Sequence, residues 1–489
     1  MNAFPISSPA QEGVDPASLA AFFRHVEREN LHLHAFEILR HDKIIAQGAY
    51  TPYRLDQNHF FFSMSKSFTA IAIGFAVQEG LLSCSDKVLS FFPEEAPAAP
   101  SPYFQALTIY DLLTMRSGHM EEQLHILLGN EWVQQFLHTQ LPREPGTFFA
   151  YNTVGTYLLS AILQKKTGQT LLEYLSPRLL EPIGCSRTLQ WEESPEGVCA
   201  GGFGISGLVD DIARFCTFVL HKGSFQGKQL LDPTWLEQAS QPHADNAAAS
   251  PLPDWQQGYG YQFWRCVPTH VFRGDGAFGQ LGIVLPDQDM VIAIHAGCAN
   301  DDEIQILFNL LWADLLPGVD RIPQTQISKP VMPMDLELPT YFHNTGCVNS
   351  ICTGKVYDLA QNPYGFHTVE WTKKPDASTA LVLRSTGSYV EIPLDAQQWI
   401  EFDWPEDLCA NKPQCVSFSS LRGVLPKAAA KACTTGNTLW VDIAFLGTPF
   451  QDSWEFAWED NQLTWRLRRA ASFFPADFTI SGRVNAIPA

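Results

Sequence analysis

The chain has 489 residues, and 32 Lys and Arg against 52 Asp and Glu leave a formal net charge of −20 at pH 7. Hydrophobic residues make up 45% and charged residues 17%, the composition of a folded globular chain rather than a disordered or collagen-like one. Phosphate-binding surfaces need clustered Lys and Arg, so an acidic chain without a basic run argues against nucleic acid and anionic membranes as partners. The length suits two or three domains, each burying a core without disulfide or metal staples. Residues 1–15 lack the basic start and apolar stretch of a secretory signal. No run reaches the roughly 18 apolar residues of a membrane span. Eleven cysteines are scattered without Cys-x-x-Cys spacing. The nearest pairs, Cys347 with Cys352 and Cys409 with Cys415, form no zinc-type array, and free thiols in a reducing cytoplasm are expected.

Along the chain, Asp15 as N-cap and Pro16 at the first helical position predict a helix to about Asn30. Two β-like runs, 35–40 and 43–48, joined at His41-Asp42, read as a hairpin. Helical patterns follow over 63–80, 109–115, 153–167, 171–180 and 209–221. Strand patterns return at 258–266, 281–285 and 290–295, and a helix over 301–316 closes this part, with Ile304, Leu307, Leu311 and Leu315 on one face. A hairpin first, helices in the middle and strands last predict an α+β domain whose sheet is assembled from both ends of residues 1–316. Pro317, Pro323, Pro330, Pro333 and Pro339 interrupt any regular element, so 317–339 reads as a linker. Residues 340–489 then alternate like an antiparallel sheet. Trp454, Phe456 and Trp458 share one side, as do Leu463, Trp465 and Leu467 after a turn at Asp460-Asn461, and Leu439, Val441, Ile443 and Phe445 repeat the pattern. A small β-barrel or sandwich packed on the first domain is expected.

The stretch with chemistry in it is Phe62-Ser63-Met64-Ser65-Lys66-Ser67-Phe68. Residues three apart share a helix face, so the Lys66 amine can reach the Ser63 hydroxyl. Serine is a weak nucleophile until something takes its proton, and lysine does so only with a depressed pKa. Phe60, Phe61, Phe62 and Phe68 could supply the burial that depresses it, and a helix N-terminus leaves backbone N–H groups for an oxyanion. Ser-x-x-Lys alone is weak, because chance supplies it about twice in a chain of this length. The bland alternative is a surface lysine one turn from a helix cap.

Further segments add to it. Ser63-Met64-Ser65-Lys66, Thr108 to His119, Pro145-Gly146, Tyr151-Asn152-Thr153, Glu181-Pro182-Ile183-Gly184, Asp211 to Phe215 and Tyr259 to Trp264 occur in that order. Over about 10–316 the chain resembles the serine β-lactamase-like hydrolases, a family of class C β-lactamases, DD-peptidases, esterases and D-aminopeptidases. Within it the chain looks closest to the 6-aminohexanoate-dimer hydrolase branch, which often carries a Gly-Gln pair similar to Gly279-Gln280. The resemblance implies a β-lactamase/transpeptidase-like domain, Ser63 as acylated nucleophile, Lys66 as its base and Tyr151 as proton relay. It places Gln280, Gly279, Asn152, Thr153 and Phe278 around the substrate, with the backbone N–H groups of Ser63 and Gln280 as oxyanion donors. A phenol held beside an ammonium is expected to have a lowered pKa.

Two departures from the family pattern stand out. Thr153 sits where many members have Asn, and Gly274 to Gln280 contains no Lys or His where the third motif brings one. Arg273 and His270 are near, at the wrong spacing. Without that cation a carboxylate-bearing substrate should bind poorly, which disfavours penicillins and peptidoglycan stems. Gly202 to Gly207 spells Gly-x-Gly-x-x-Gly but follows no convincing strand, so a dinucleotide fold is not expected. His119 reads as a structural histidine, and no Gly-x-Ser-x-Gly elbow occurs. The expectation is therefore a cytoplasmic serine hydrolase for a small amide or ester, with no metal or organic cofactor. β-Lactamase or D-amino-acid peptidase activity and a catalytically impaired sensor are the alternatives; oligomeric state is not legible.

Overall fold

The structure is a computed structural model that describes residues 4–321, 336–340, 342, 348, 354–362, 364–374, 378–405, 427–473 and 477–484. Helix α1 (Pro16–Arg28) starts as its sequence predicts: Asp15 accepts a hydrogen bond from the Ala17 N–H, and Pro16 occupies the first turn. Strands β1 (Leu33–Arg40) and β2 (Lys43–Ala49) form the hairpin, with His41 and Asp42 both at positive φ in its turn. The buried helix α2 (Ser65–Gln78) follows a single 3-10 turn over Phe62–Met64 that carries Ser63. Helix α3 (Thr153–Thr167) packs against α2. Helix α4 (Val209–Leu220) lies on the sheet, and α5 (Asp301–Leu310) continues into a wider turn over 311–315 and a 3-10 turn over 316–318.

The sheet is completed by β3 (Trp264–Arg265), β4 (Phe272–Gly276), β5 (Gln280–Leu285) and β6 (Met290–Ala296). The strand order is β2-β1-β6-β5-β4-β3, antiparallel throughout, so the N-terminal hairpin pairs with the last strand of this region as expected. One core, including Phe68, Ile71, Leu158 and Phe215, lies among the helices and α4's side of the sheet. Another, including Leu19, Phe36, Ile292 and Leu307, seals the side covered by α1 and α5. One expected strand is mostly missing. Over 258–266 only Trp264 and Arg265 join the sheet, and Tyr259 makes isolated bridges to Ala244 and Trp264, because Gly258 and Gln262 take positive φ values of 100° and 62° and bend the chain.

The C-terminal part is a nearly closed antiparallel barrel of ten strands: β7 (Val356–Leu359), β8 (Thr368–Lys373), β9 (Thr379–Arg384), β10 (Tyr389–Leu394), β11 (Ile400–Asp403), β12 (Lys427–Thr435), β13 (Thr438–Phe445), β14 (Gln451–Glu459), β15 (Gln462–Arg469) and β16 (Phe478–Val484). Their order is β10-β9-β8-β7-β16-β15-β14-β13-β12-β11, and β10 also meets β11, which brings the two ends together. The alternating residues of β13, β14 and β15 face inward: Leu439, Val441, Ile443, Trp454, Phe456, Leu463 and Trp465 are all buried. Of the expected linker, Pro323, Pro330 and Pro333 lie outside the described residues, as do Cys347, Cys352, Cys409 and Cys415; the seven described cysteines are free thiols. Among the described residues no helix is long and apolar enough to cross a membrane.

Inside the barrel the Arg469 Nε and a terminal guanidinium nitrogen donate to Asp452 at 2.6 and 2.9 Å, and the Tyr364 hydroxyl also donates to that carboxylate. Both charged side chains are withdrawn from solvent, at 4% and 0% exposure. Removing one partner of such a pair leaves an uncompensated buried charge. Asp452→Ala should therefore lower stability by about 3–5 kcal/mol, measured by urea unfolding followed through tryptophan emission.

Candidate active site

Ser63 stands half-buried in the turn that opens α2, and Lys66 one turn on is 1% exposed. The Lys66 Nζ lies 2.9 Å from Ser63 Oγ, 3.0 Å from Thr153 Oγ1 and 2.7 Å from the Gly202 carbonyl oxygen. Burial pushes the Lys66 amine down to about 7, against an opposing pull from the negative charges of Glu122 and Asp275. A neutral amine has two N–H donors and one lone pair. With Thr153 and Gly202 taking the donors, the lone pair is left for the Ser63 hydroxyl.

Tyr151 completes the group. Its side chain hydrogen-bonds to Ser63, and the Lys66 Nζ sits 4.7 Å from its ring centroid. Trp264 stacks on that ring at 5.5 Å and 25°, and Tyr259 meets it edge-on at 6.3 Å. The phenol pKa is not lowered, contrary to the expectation from sequence. Burial holds Tyr151 well above its ordinary value, with the Ser63 hydrogen bond a smaller opposing influence. The negative charges of Glu122, Asp275 and Asp301 push the phenol in the same direction as its burial.

The other expected site residues divide. Thr153 joins the lysine rather than offering itself to a substrate: its Oγ1 accepts from Lys66, while its N–H, at 3.1 Å, and its hydroxyl both donate to Glu122 Oε1. Asn152, 1% exposed, caps α3, its Oδ1 accepting from the N–H groups of Val154 and Gly155 at 3.1 and 3.2 Å. That oxygen is therefore not available to a substrate. Gln280 is buried in β5, where its Nε2 donates to the Ala296 carbonyl at 2.7 Å and its Oε1 pairs with His295 Nδ1 at 3.0 Å. Its side chain supports the turn 276–280 and leaves only its backbone for the site. Gly279 has φ 87°, a value glycine adopts without strain, in that turn. Phe278 points to the barrel, with ring centroids 5.7 Å from Phe450 and 4.7 Å from Phe473.

Strand β4 reaches the nucleophile turn because Gly276 has no side chain: a Cβ there would lie 2.1 Å from the Phe61 carbonyl oxygen and 3.2 Å from the Met64 nitrogen. Where the third motif would bring a cation, Arg273 is instead buried at 0% exposure, donating to Asp275 at 2.7 Å and to the Asp254 carbonyl at 2.7 Å. His270 pairs with Asp287 at 3.0 Å on the surface. His119 is a structural group, bonded to Ser117 Oγ at 2.9 Å and Thr139 Oγ1 at 2.8 Å. Sequence reasoning missed two participants. Glu122 is 31 residues from Thr153 and carries no local signature, and the Gly202 carbonyl belongs to a glycine run read only as an approach to α4.

A family model described as Beta-lactamase matches residues 25–304, more than half of the chain. The chain belongs to the Beta-lactamase family. It is a serine hydrolase of that family. It is 24% identical over 314 residues to a 6-aminohexanoate-dimer hydrolase of Paenarthrobacter ureafaciens, covering 58% of this chain and 78% of that one. To a D-aminopeptidase of Brucella anthropi it is 26% identical over 195 residues, 35% of this chain and 36% of that one. Two solved structures show the same fold: EstCE1, a hydrolase with promiscuous acyltransferase activity (TM-score 0.52, 16% identity, 63% of this chain and 100% of that one), and SurE with D-Leu (TM-score 0.50, 15% identity, 90% and 99%).

The buried amine also has a thermodynamic signature. Its pKa in the folded chain, about 7, lies below the ordinary value of 10.5, so folding disfavours the charged form. The resulting cost is complete below pH 7 and fades as pH rises from 7 towards 10.5. Lys66→Met should accordingly raise the melting temperature most below pH 7, by at least a few degrees, and progressively less towards pH 10. Calorimetric scans across that range check it.

Proposed function

We propose that the chain cleaves a small amide or ester with an uncharged, largely apolar acyl group through an acyl-enzyme on Ser63. The observation that carries this reading is the Lys66 Nζ, buried, pushed to about 7 and 2.9 Å from Ser63 Oγ. In the first half-reaction the Ser63 Oγ attacks the carbonyl carbon while the neutral Lys66 amine takes its proton. The oxyanion is received by the backbone N–H groups of Ser63 and Gln280 beside the positive end of α2. Tyr151, bonded to Ser63 and kept protonated by burial, hands its proton to the leaving amine or alkoxide and is reprotonated from Lys66. Water then adds to the acyl carbon, and the same groups return the proton to Ser63 as the acid leaves.

Substrate preference follows from charge. Arg273 is committed to Asp275 behind the site, and Glu122 and Asp275 place negative potential on Lys66 and Tyr151. A substrate carboxylate would be desolvated here without a partner, which supports neutral acyl donors over penicillins and peptidoglycan stems.

A fluorophosphonate probe should add to Ser63, seen by intact mass. The adduct should vanish in Ser63→Ala and form at least about 100-fold more slowly in Lys66→Ala. p-Nitrophenyl butyrate should be turned over with an acid limb near pH 7, and nitrocefin left intact. Nitrocefin turnover exceeding ester cleavage would favour a β-lactamase; no adduct and no turnover would favour a sensor.

A further inference from the structure

We propose that Glu122 is a positioning residue for Lys66, acting through the hydroxyl of Thr153; the inference rests on the hydrolase reading above. Glu122 lies in the loop after Gly118, ahead of the 3-10 turn Leu124–Leu128, far from α2 and α3 in sequence. One of its carboxylate oxygens, Oε1, accepts from both the Thr153 N–H and the Thr153 hydroxyl. A hydroxyl has one proton and two lone pairs. Once that proton is committed to Glu122, the side of Thr153 Oγ1 that faces Lys66, 3.0 Å away, can only accept.

The consequence reaches the nucleophile by counting donors. Gly202 contributes a carbonyl, which also only accepts, at 2.7 Å. The neutral Lys66 amine must therefore direct one N–H to Thr153 and the other to Gly202. Its lone pair is left for the third neighbour, Ser63 Oγ at 2.9 Å, which is the orientation proton abstraction requires. Without Glu122 the Thr153 hydroxyl is free to turn and donate to the same lone pair, competing with Ser63. When Lys66 takes the proton, its third N–H forms towards Ser63 while Thr153 and Gly202 remain as acceptors. The Glu122 charge, one hydroxyl away, favours the ammonium so formed.

This arrangement occupies the position at which the family motif has its Asn. An Asn amide oxygen can only accept, whereas the Thr153 hydroxyl at the start of α3 has a proton that rotates, and Glu122 sets its direction.

The test is the pH profile of kcat and kcat/KM with p-nitrophenyl butyrate, alongside fluorophosphonate labelling of Ser63, in the full-length chain. Glu122→Gln keeps an oxygen acceptor for both Thr153 donors and removes the charge, so the acid limb of kcat/KM should move down by about 1 pH unit. Glu122→Ala frees the hydroxyl, and its plateau kcat should fall about 10- to 100-fold with KM little changed. Thr153→Val should fall equally, and Thr153→Ser should recover to within a few-fold. Melting temperatures identify a variant that fails to fold; Glu122→Gln and Thr153→Ser then still decide the matter. An unchanged plateau kcat in Glu122→Ala and Thr153→Val, or a loss confined to KM, overturns the positioning role, and a limb unmoved in Glu122→Gln overturns the part given to its charge, while Ser63 still labels in the wild type. A wild type that neither labels nor turns over ester overturns the hydrolase reading and the relay with it.

Discussion

A primary amine kept out of water at the mouth of a helix is the constraint on which the rest of this protein turns. An isolated lysine ammonium is expensive to bury, and the structure meets that expense by letting the amine approach neutrality while surrounding it with acceptors. Each hydrogen-bonding partner comes from a different region: Ser63 from the turn before α2, Thr153 from the start of α3, and the Gly202 carbonyl from the glycine run before α4. The helical layer is thus assembled around one nitrogen. The sheet contributes β4, whose glycines at 274 and 276 let a backbone strand lie directly against the nucleophile turn.

The barrel enters the same neighbourhood through aromatic contacts. Phe62 precedes the nucleophile with φ 48°, and Phe278 precedes Gly279 with φ 65°. For a bulky L-residue each of these conformations costs about 1–3 kcal/mol, and such strain persists only where surrounding structure over-determines it. The two rings contact one another at 5.6 Å, and both meet Phe450 and Phe473 from the C-terminal part. Further ties run from the Tyr53 hydroxyl to the Thr448 carbonyl at 3.1 Å and between His32 and Gln451 at 2.9 Å. The barrel therefore bears on both backbone segments that frame Ser63.

Histidine chemistry plays a supporting part. His34 and His59 are 3.1 Å apart, His59 stacks on His295, and His295 holds the Gln280 side chain. All three are fully buried and pushed below their ordinary pKa, so they serve as neutral hydrogen-bonding rings that brace β1, β5 and β6. Among the described residues no group of three or more His, Cys, Asp or Glu side chains is placed to hold a metal ion.

Local pattern was enough to reveal the hairpin, the helices and the alternating barrel strands, because hydrophobic period and capping residues act over a few positions. It also paired Ser63 with Lys66, since a separation of three residues on a helix is a distance as well as a spacing. Motif order pointed to Tyr151, whose ring the structure sets beside Lys66, and to Gln280, whose side chain it turns to Ala296 and His295. What only the tertiary structure decided is everything carried by contacts between distant segments. It decided that Asn152 caps a helix, that Phe278 faces the barrel and that Arg273 is spent on Asp275. It also brought Glu122 across from its own loop to Thr153. Those outcomes depend on which partners a fold brings within hydrogen-bonding reach, and the direction of a hydroxyl proton is set by that company rather than by neighbours along the chain.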